Sequence, residues 1–184
     1  MTDSPLLNLL KEKAFEQREV TLASGRKSNF YIDVKRVSLM AEGAYWIGHD
    51  LFQLIRSKFP DAKGIGGLTL GADPLATSVA MASHEKKHPL DAFIVRKELK
   101  AHGTGKMIEG GHYLKAGAPV VILEDVVTSG GSALEAVEKV KTHGWNILGI
   151  AAVVDRQEGG RERLEGEGLK LYSLYQKKDF GNLV

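Results

Sequence analysis

Two neighbouring carboxylates, Glu124 and Asp125, close an apolar run from Val120 to Leu123 and lead through Val126 and Val127 into Thr128-Ser129-Gly130-Gly131-Ser132. The run reads as a buried strand, and the residues from Ser132 to His143 read as a helix. In open parallel sheets ligands gather at the carboxyl ends of strands, where these acids fall. Glycines let backbone N–H groups approach an anion closely, the hydroxyls add donors, and the helix directs its positive end at the same point. That combination suits a monophosphate, with the acids free to take sugar hydroxyls or Mg²⁺. A strand–turn–helix joint in which TSGGS only caps the helix would look similar. Two successive acids closing an apolar strand destabilise a fold unless they are used, which favours the ligand site.

A second concentration of chemistry runs from Lys97 to Gly111, KELKAHGTGKMIEGG, with four glycines, three lysines and a histidine. It is too polar for core and too long for a simple connection, so it is expected to be functional or mobile; a plain flexible hairpin is the alternative. Arg156 follows the apolar run Ile147 to Val154. Its guanidinium suits a planar carboxylate, although a surface ion pair with Asp155 or Glu158 would use the same residue. Asp73 opens a helix, where it can satisfy the dipole or reach Mg²⁺ through water. His84 and His88 have chelating spacing but no third ligand, so a solvated helix end accounts for them better. Gly105-Lys106 is followed by Met107 where a Walker A loop needs Ser or Thr, and Gly64 to Gly71 does not give GxGxxG. A nucleoside triphosphate or dinucleotide site is therefore unsupported. The chain has no cysteine, which excludes thiolate catalysis and disulfides.

These residues need a scaffold, and the apolar runs supply one. Ala62–Gly67, Ala92–Val95, Pro119–Leu123 and Ile147–Val154 read as strands, with Leu169–Leu174 as an edge. Ala72–Lys87 and Ser132–His143 carry apolar residues at helical spacing between them, and Gly144 is a helix stop. The alternation implies βαβ units, hence an α/β fold with a mostly parallel sheet flanked by helices. Pro5–Phe15 and Gly43–Lys58 read as further helices, with an extended piece from Ser28 to Val34 between them. The 184 residues fit one domain, residues 1–184, in which about 1–40 form a small hood over the sheet. With 43% hydrophobic and 26% charged residues and a formal net charge of +2, neither disorder nor nucleic-acid binding is indicated. The N-terminal segment lacks the uninterrupted apolar core of a signal peptide, so a cytoplasmic protein is the expectation, without membrane partners.

Glu124 to Ser132 resembles the phosphoribosyl diphosphate (PRPP) motif of type I phosphoribosyltransferases. Arg96-Lys97-x-x-Lys100-x-His102, the segment Gly67-Leu68-Thr69-Leu70-Gly71-Ala72-Asp73-Pro74, and Asp155-Arg156 narrow the resemblance to the orotate phosphoribosyltransferases. It extends over most of the chain, including TLASGRKSNFYIDVKR near the N-terminus. The PRPP motif alone specifies the superfamily; its combination with the RKxxKxH loop is far more specific.

The resemblance implies the type I phosphoribosyltransferase fold with an N-terminal hood. It implies transfer of the phosphoribosyl group from PRPP to orotate in pyrimidine biosynthesis, with Mg²⁺ as cofactor. PRPP would be held by Glu124, Asp125, Val126, Val127, Thr128, Ser129, Gly130, Gly131 and Ser132, together with Arg96, Lys97, Lys100 and His102. Lys100, His102 and Asp125 would be catalytic, Thr128 and Arg156 would bind orotate, and Asp125 or Asp73 would be the protein's contact to the metal. A homodimer is implied, with the catalytic loop acting across the interface. Two positions depart from some members of the family. Ala23 stands where a hood lysine is found, leaving Lys27 as a substitute, and Thr69-Leu70 replaces a Tyr-Lys pair in the diphosphate loop. Both departures shift the diphosphate charge onto the mobile loop and the backbone. A phosphoribosyltransferase for another base, or a PRPP-sensing regulator of the same fold, are the alternatives. A fused orotidylate decarboxylase is not expected, since a barrel of roughly 200 or more residues would have to follow Val184.

Overall fold

The structure, a computed structural model, describes residues 4–18, 20–21, 27–98 and 106–181, and of residues 20, 21, 27 and 28 only the backbone. The N-terminal part begins with α1 (Pro5–Leu9), whose first turn is set by Pro5 and by Ser4 Oγ accepting from Leu7 N. The chain then passes through a wider turn, Leu10–Ala14. The sequence reading carries this helix to Phe15, but Phe15 already opens β1 (Phe15–Glu16). β2 (Val20–Thr21) and β3 (Lys27–Ser28) pair antiparallel, and β1 pairs antiparallel with β4 (Tyr31–Ile32). A short helix not legible in the sequence, α2 (Lys35–Ser38), follows, its first amide donating to Asp33 Oδ1 at 3.2 Å. The rings of Phe15, Phe30 and Phe180 cluster with centroids 5.0 to 5.6 Å apart, pinning this N-terminal part to the end of the chain.

The remaining elements are α3 (Ala41–Lys58), β5 (Gly64–Leu68), α4 (Ala72–Glu85), β6 (Asp91–Val95), β7 (Ile108–Gly110), β8 (Pro119–Val127), α5 (Gly131–His143), β9 (Asn146–Asp155), α6 (Gly160–Gly166) and β10 (Leu171–Gln176), with a final 3₁₀ turn at Lys177–Phe180. Among the described residues the main sheet has six strands in the order β10-β9-β8-β5-β6-β7, parallel throughout except for β7. Both faces are covered, which is why the strands read as continuous apolar runs. Along β8, Val121 and Leu123 enter the core beneath α3 and α4, while Val120 and Ile122 enter the core beneath α5. α5 buries Ala133, Ala136, Val137 and Val140 on that second face and stops at Gly144, which has φ 93°.

Two boundaries differ from the sequence reading in ways that matter. β8 does not stop at Leu123 but runs through both acids to Val127, held by its pairing with β9 as far as Val127–Asp155. The far end of the Lys97–Gly111 segment is a strand, because β7 returns antiparallel along β6. The polar composition of that segment hides a hairpin arm of only three residues.

Candidate active site

β5 connects onward to β6 on one side of the sheet, whereas β8 connects onward to β9 on the other. The carboxyl ends of β5 and β8 therefore flank the point where the winding reverses, the place where open α/β sheets bind ligands. A cleft of about 450 Å³ lies there, between the Leu68–Gly71 loop after β5 and the acids Glu124 and Asp125 of β8, with Ser132, Lys35 and Lys97 on its borders. The two loops approach closely. A Cβ on Gly71 would lie 2.8 Å from the Asp125 carboxyl, and one on Gly67 would run into the Leu123 carbonyl oxygen. Gly67 and Gly71 of GIGGLTLG thus serve packing against β8 and access to its acids, while Gly66 makes room for Phe93 of β6.

Glu124 is only 6% exposed. Burial, reinforced by the neighbouring Asp125 and partly offset by Lys97, pushes its carboxyl up to about 8. Asp125 accepts from Val126 N at 2.8 Å through Oδ1 and stands 3.6 Å from Lys35 Nζ through Oδ2. Lys35 also reaches Asp33 at 2.9 Å. Its hydrogen bond to Asp33 outweighs the effect of burial and, with the Asp125 charge, holds the ammonium above the ordinary lysine range.

After β8, Thr128 and Ser129 lead to Gly130, which caps α5 with φ 74°. A glycine has no side-chain acceptor, so the turn does not cap the helix through a hydroxyl, and capping does not explain the TSGGS composition. α6, which the sequence reading missed, braces this turn. Its Gly160 leaves no room for a Cβ beside the Thr128 carbonyl oxygen, and Arg163 Nη1 donates to Ser129 O at 3.3 Å. α6 is tied back to the sheet by Arg161, which binds the fully buried Asp155 carboxylate at 3.0 and 2.9 Å.

Arg156 is 7% exposed. Its Nη2 donates to Phe30 O at 2.7 Å and to Glu158 Oε1 at 3.0 Å, and its guanidinium lies 5.4 Å from the Phe30 ring centroid. It thus joins the N-terminal hood to the end of β9, as a buried group and not as a surface ion pair. Of the two acids considered as its partners, Glu158 is bound and Asp155 is taken by Arg161.

At the other end of the cleft, Arg96 is engaged by Glu109 of β7, at 3.0 Å from Nε and 2.9 Å from Nη2, while its backbone N donates to Met107 O. Lys97 is exposed at the cleft border. Lys139 of α5 donates to the carbonyl oxygens of Arg96 and Lys97 at 2.9 and 2.8 Å. Lys100 and His102 lie outside the described residues, as does Ala23; of Lys27 only the backbone is described. Asp73 accepts from Thr69 Oγ1 at 2.7 Å, and its other oxygen is buried without a hydrogen-bond partner. The Thr69–Leu70 peptide is cis. Among the described residues no group of three or more His, Asp or Glu side chains is placed to hold a metal. Single carboxylates such as Asp125 and Asp73 fit Mg²⁺ that arrives on a substrate, because this ion keeps waters and uses one or two protein oxygens beside phosphates.

Sequence reasoning singled out Glu124, Asp125, Thr128 to Ser132 and Arg156, and the structure brings these to the two strand ends. It missed Lys35, Glu109, Lys139 and the bracing by α6. Of these, only Lys35 carried a signal, in the spacing Asp33-x-Lys35 at the end of an extended segment.

Residues 70–167 match the model of the phosphoribosyl transferase domain. The chain is 45% identical over 175 residues to orotate phosphoribosyltransferase of Sorangium cellulosum, covering 95% of this chain and 91% of that protein. It is 44% identical over 174 residues to orotate phosphoribosyltransferase of Aquifex aeolicus, with 93% of each covered. The crystal structure of Mycobacterium tuberculosis orotate phosphoribosyltransferase in complex with PRPP superposes with a TM-score of 0.78 at 37% identity, over 97% of this chain and 98% of that one. A cleft at the winding reversal, acids at its floor, a glycine turn beside it and agreement over nearly the whole length lead to one assignment: the chain belongs to the orotate phosphoribosyltransferase family.

Proposed function

We propose that this protein transfers the 5-phosphoribosyl group of PRPP to orotate, giving orotidine 5′-monophosphate and diphosphate in pyrimidine biosynthesis. The observation that carries the reading is the buried Arg156 at the end of β9, next along the sheet from the acids and glycine turn that end β8. Arg156 is held by Phe30 O and Glu158, and a guanidinium at this strand end suits a planar carboxylate, which orotate has and uracil and the purines lack.

In this assignment the turn Thr128–Ser132 and the first amides of α5 take the 5′-phosphate. Glu124 and Asp125 take the ribose hydroxyls, with Glu124 protonated near neutrality and so able to donate as well as accept. Thr128 and Arg156 hold orotate with its ring nitrogen towards the anomeric carbon. The C–N bond forms as the bond from that carbon to the diphosphate oxygen breaks, the ring nitrogen gives up its proton to solvent or the departing diphosphate, and negative charge collects on that group. Catalysis then rests on placing cations where that charge develops. Lys97, Lys100 and His102 of the hairpin are assigned to this task, and Arg96 can join them if it exchanges Glu109 for diphosphate. Mg²⁺ carried on PRPP, when bound, shields the diphosphate charge, with Asp125 and Asp73 as the carboxylates suited to hold its waters.

A homodimer and a cytoplasmic location complete the reading. Leu39, Leu70 and Met81 are 73%, 72% and 64% exposed and border a largely apolar groove of about 650 Å³ beside the Leu68–Gly71 loop. Such a patch at the rim of the cleft suits a second copy whose hairpin reaches across. Among the described residues no helix is long and apolar enough to cross a membrane.

Arg156→Ala tests the choice of base. Loss of a buried, charge-assisted pair of bonds should raise the orotate KM by about tenfold or more. The PRPP KM should stay within about threefold, because Arg156 is not among the residues assigned to PRPP. Unchanged orotate kinetics would remove Arg156 from the site and reopen the assignment of the base.

A further inference from the structure

We propose that Lys35 is an additional diphosphate-binding residue, a cation supplied by the N-terminal hood to the side of the cleft that faces the Leu68–Gly71 loop. The inference rests on the phosphoribosyl-transfer reading above and adds a residue which that reading does not use.

The leaving group of the proposed reaction is polyanionic, and the cleft that must hold it is already lined by Glu124 and Asp125. The loop after β5, Leu68-Thr69-Leu70-Gly71, brings no cation to this space. Arg96, at the foot of the hairpin, is occupied by Glu109. Among the described residues bordering the cleft, Lys35 and Lys97 are the cationic ones. Lys97 sits where the hairpin begins, whereas Lys35 is built into a packed element: it opens α2, its backbone N is bound to Asp33 Oδ1, and the neighbouring Val37 is fully buried.

The geometry of the Lys35 ammonium suits exchange. Its contact to Asp33 is a short 2.9 Å, but its distance to Asp125 is 3.6 Å, too long for a hydrogen bond. Asp33 therefore keeps the side chain near the cleft while the second partner is held loosely. Phosphate oxygens entering between Lys35 and the Leu68–Gly71 loop would offer the ammonium a stronger acceptor than Asp125 gives it. Asp125 would then be released for the ribose. If Lys35 instead served only to hold Asp125 in place, its loss would be felt at the sugar and not at the diphosphate.

Magnesium diphosphate and ribose 5-phosphate separate these roles, because each fills one part of the proposed PRPP site. Titration calorimetry on the full-length protein, Lys35→Met and Lys35→Arg provides the comparison. Lys35→Met should weaken magnesium diphosphate by about tenfold or more, as expected for loss of a hydrogen bond from a charged donor. Ribose 5-phosphate affinity should stay within about twofold, and Lys35→Arg should recover most of the diphosphate affinity. Equal affinities in Lys35→Met and the parent, or an equal loss for both ligands, would overturn the inference. A parent protein that binds neither ligand would instead count against the phosphoribosyl-transfer reading, so the two failures are distinguishable.

Discussion

Glu124 shows what a buried acid costs and what it gives in return. Sequence alone marks it as an acid at the end of an apolar strand, and the structure adds that β8 carries it into the core, where its proton is held up to about 8. An unfolded chain releases that proton near the ordinary 4.5. Between those two values the folded state binds more protons than the unfolded one, so stability should fall as pH rises across the window. Glu124→Gln keeps the shape and removes the titration. It should flatten the decline and be the more stable form at pH 8, by on the order of 1–3 kcal/mol. Thermal denaturation of both forms between pH 5 and 8.5 reads this directly; parallel curves would mean that Glu124 ionises normally in the fold.

At the scale of elements, most strands were legible because a parallel sheet covered on both faces demands continuous apolar runs, and β5, β6, β8 and β9 show them, while the edge strand β10 mixes Leu and Tyr with Ser and Gln. The pieces that escaped are short or polar. β7 has three residues in a segment dominated by glycine and lysine, and α6 buries only Gly160 and Leu164. The site followed the same division. Glu124, Asp125, the TSGGS turn and Arg156 stand out because their types conflict with, or punctuate, an apolar pattern. Lys35, Glu109 and Lys139 do not, since a lysine or glutamate on an amphipathic element reads as solvated surface until its partner is seen. Lys139 is the case with the largest consequence. It ties the foot of the Lys97–Gly111 hairpin to the helix that follows the Thr128–Ser132 turn, by bonds to the Arg96 and Lys97 carbonyl oxygens and to Glu135. Lys139→Met should keep the aliphatic packing but release the hairpin foot, raising amide exchange at residues 96–98 and 106–110 by about fivefold or more while the exchange of β8 and β9 stays unchanged. Equal protection in both forms would show that β6–β7 pairing alone holds the hairpin.

For the whole molecule, the winding reversal between β5 and β8 explains why residues far apart in sequence serve one cleft. Thr69 and Gly71 come from one strand end and Glu124 to Ser132 from the next. Lys35 of the N-terminal part borders the same cleft, and Arg156 lies at the end of β9, the next strand along the sheet. The hood is held by the Phe15, Phe30 and Phe180 cluster, so the last turn of the chain fixes the carbonyl that orients Arg156. Fold alone does not choose the base, because the sheet and the Thr128–Ser132 turn would serve any phosphoribosyl acceptor. The choice rests on Arg156 and on agreement with relatives named for orotate. The most direct test is therefore consumption of orotate, followed by its absorbance, with PRPP and Mg²⁺ present and adenine, guanine and uracil run in parallel. Orotate should be consumed with matching formation of orotidine 5′-monophosphate and diphosphate, the other bases should not react, and Lys100→Ala should lower the rate by about 100-fold or more, as for loss of a group that stabilises developing charge. Absence of orotate loss while another base is converted would contradict the assignment.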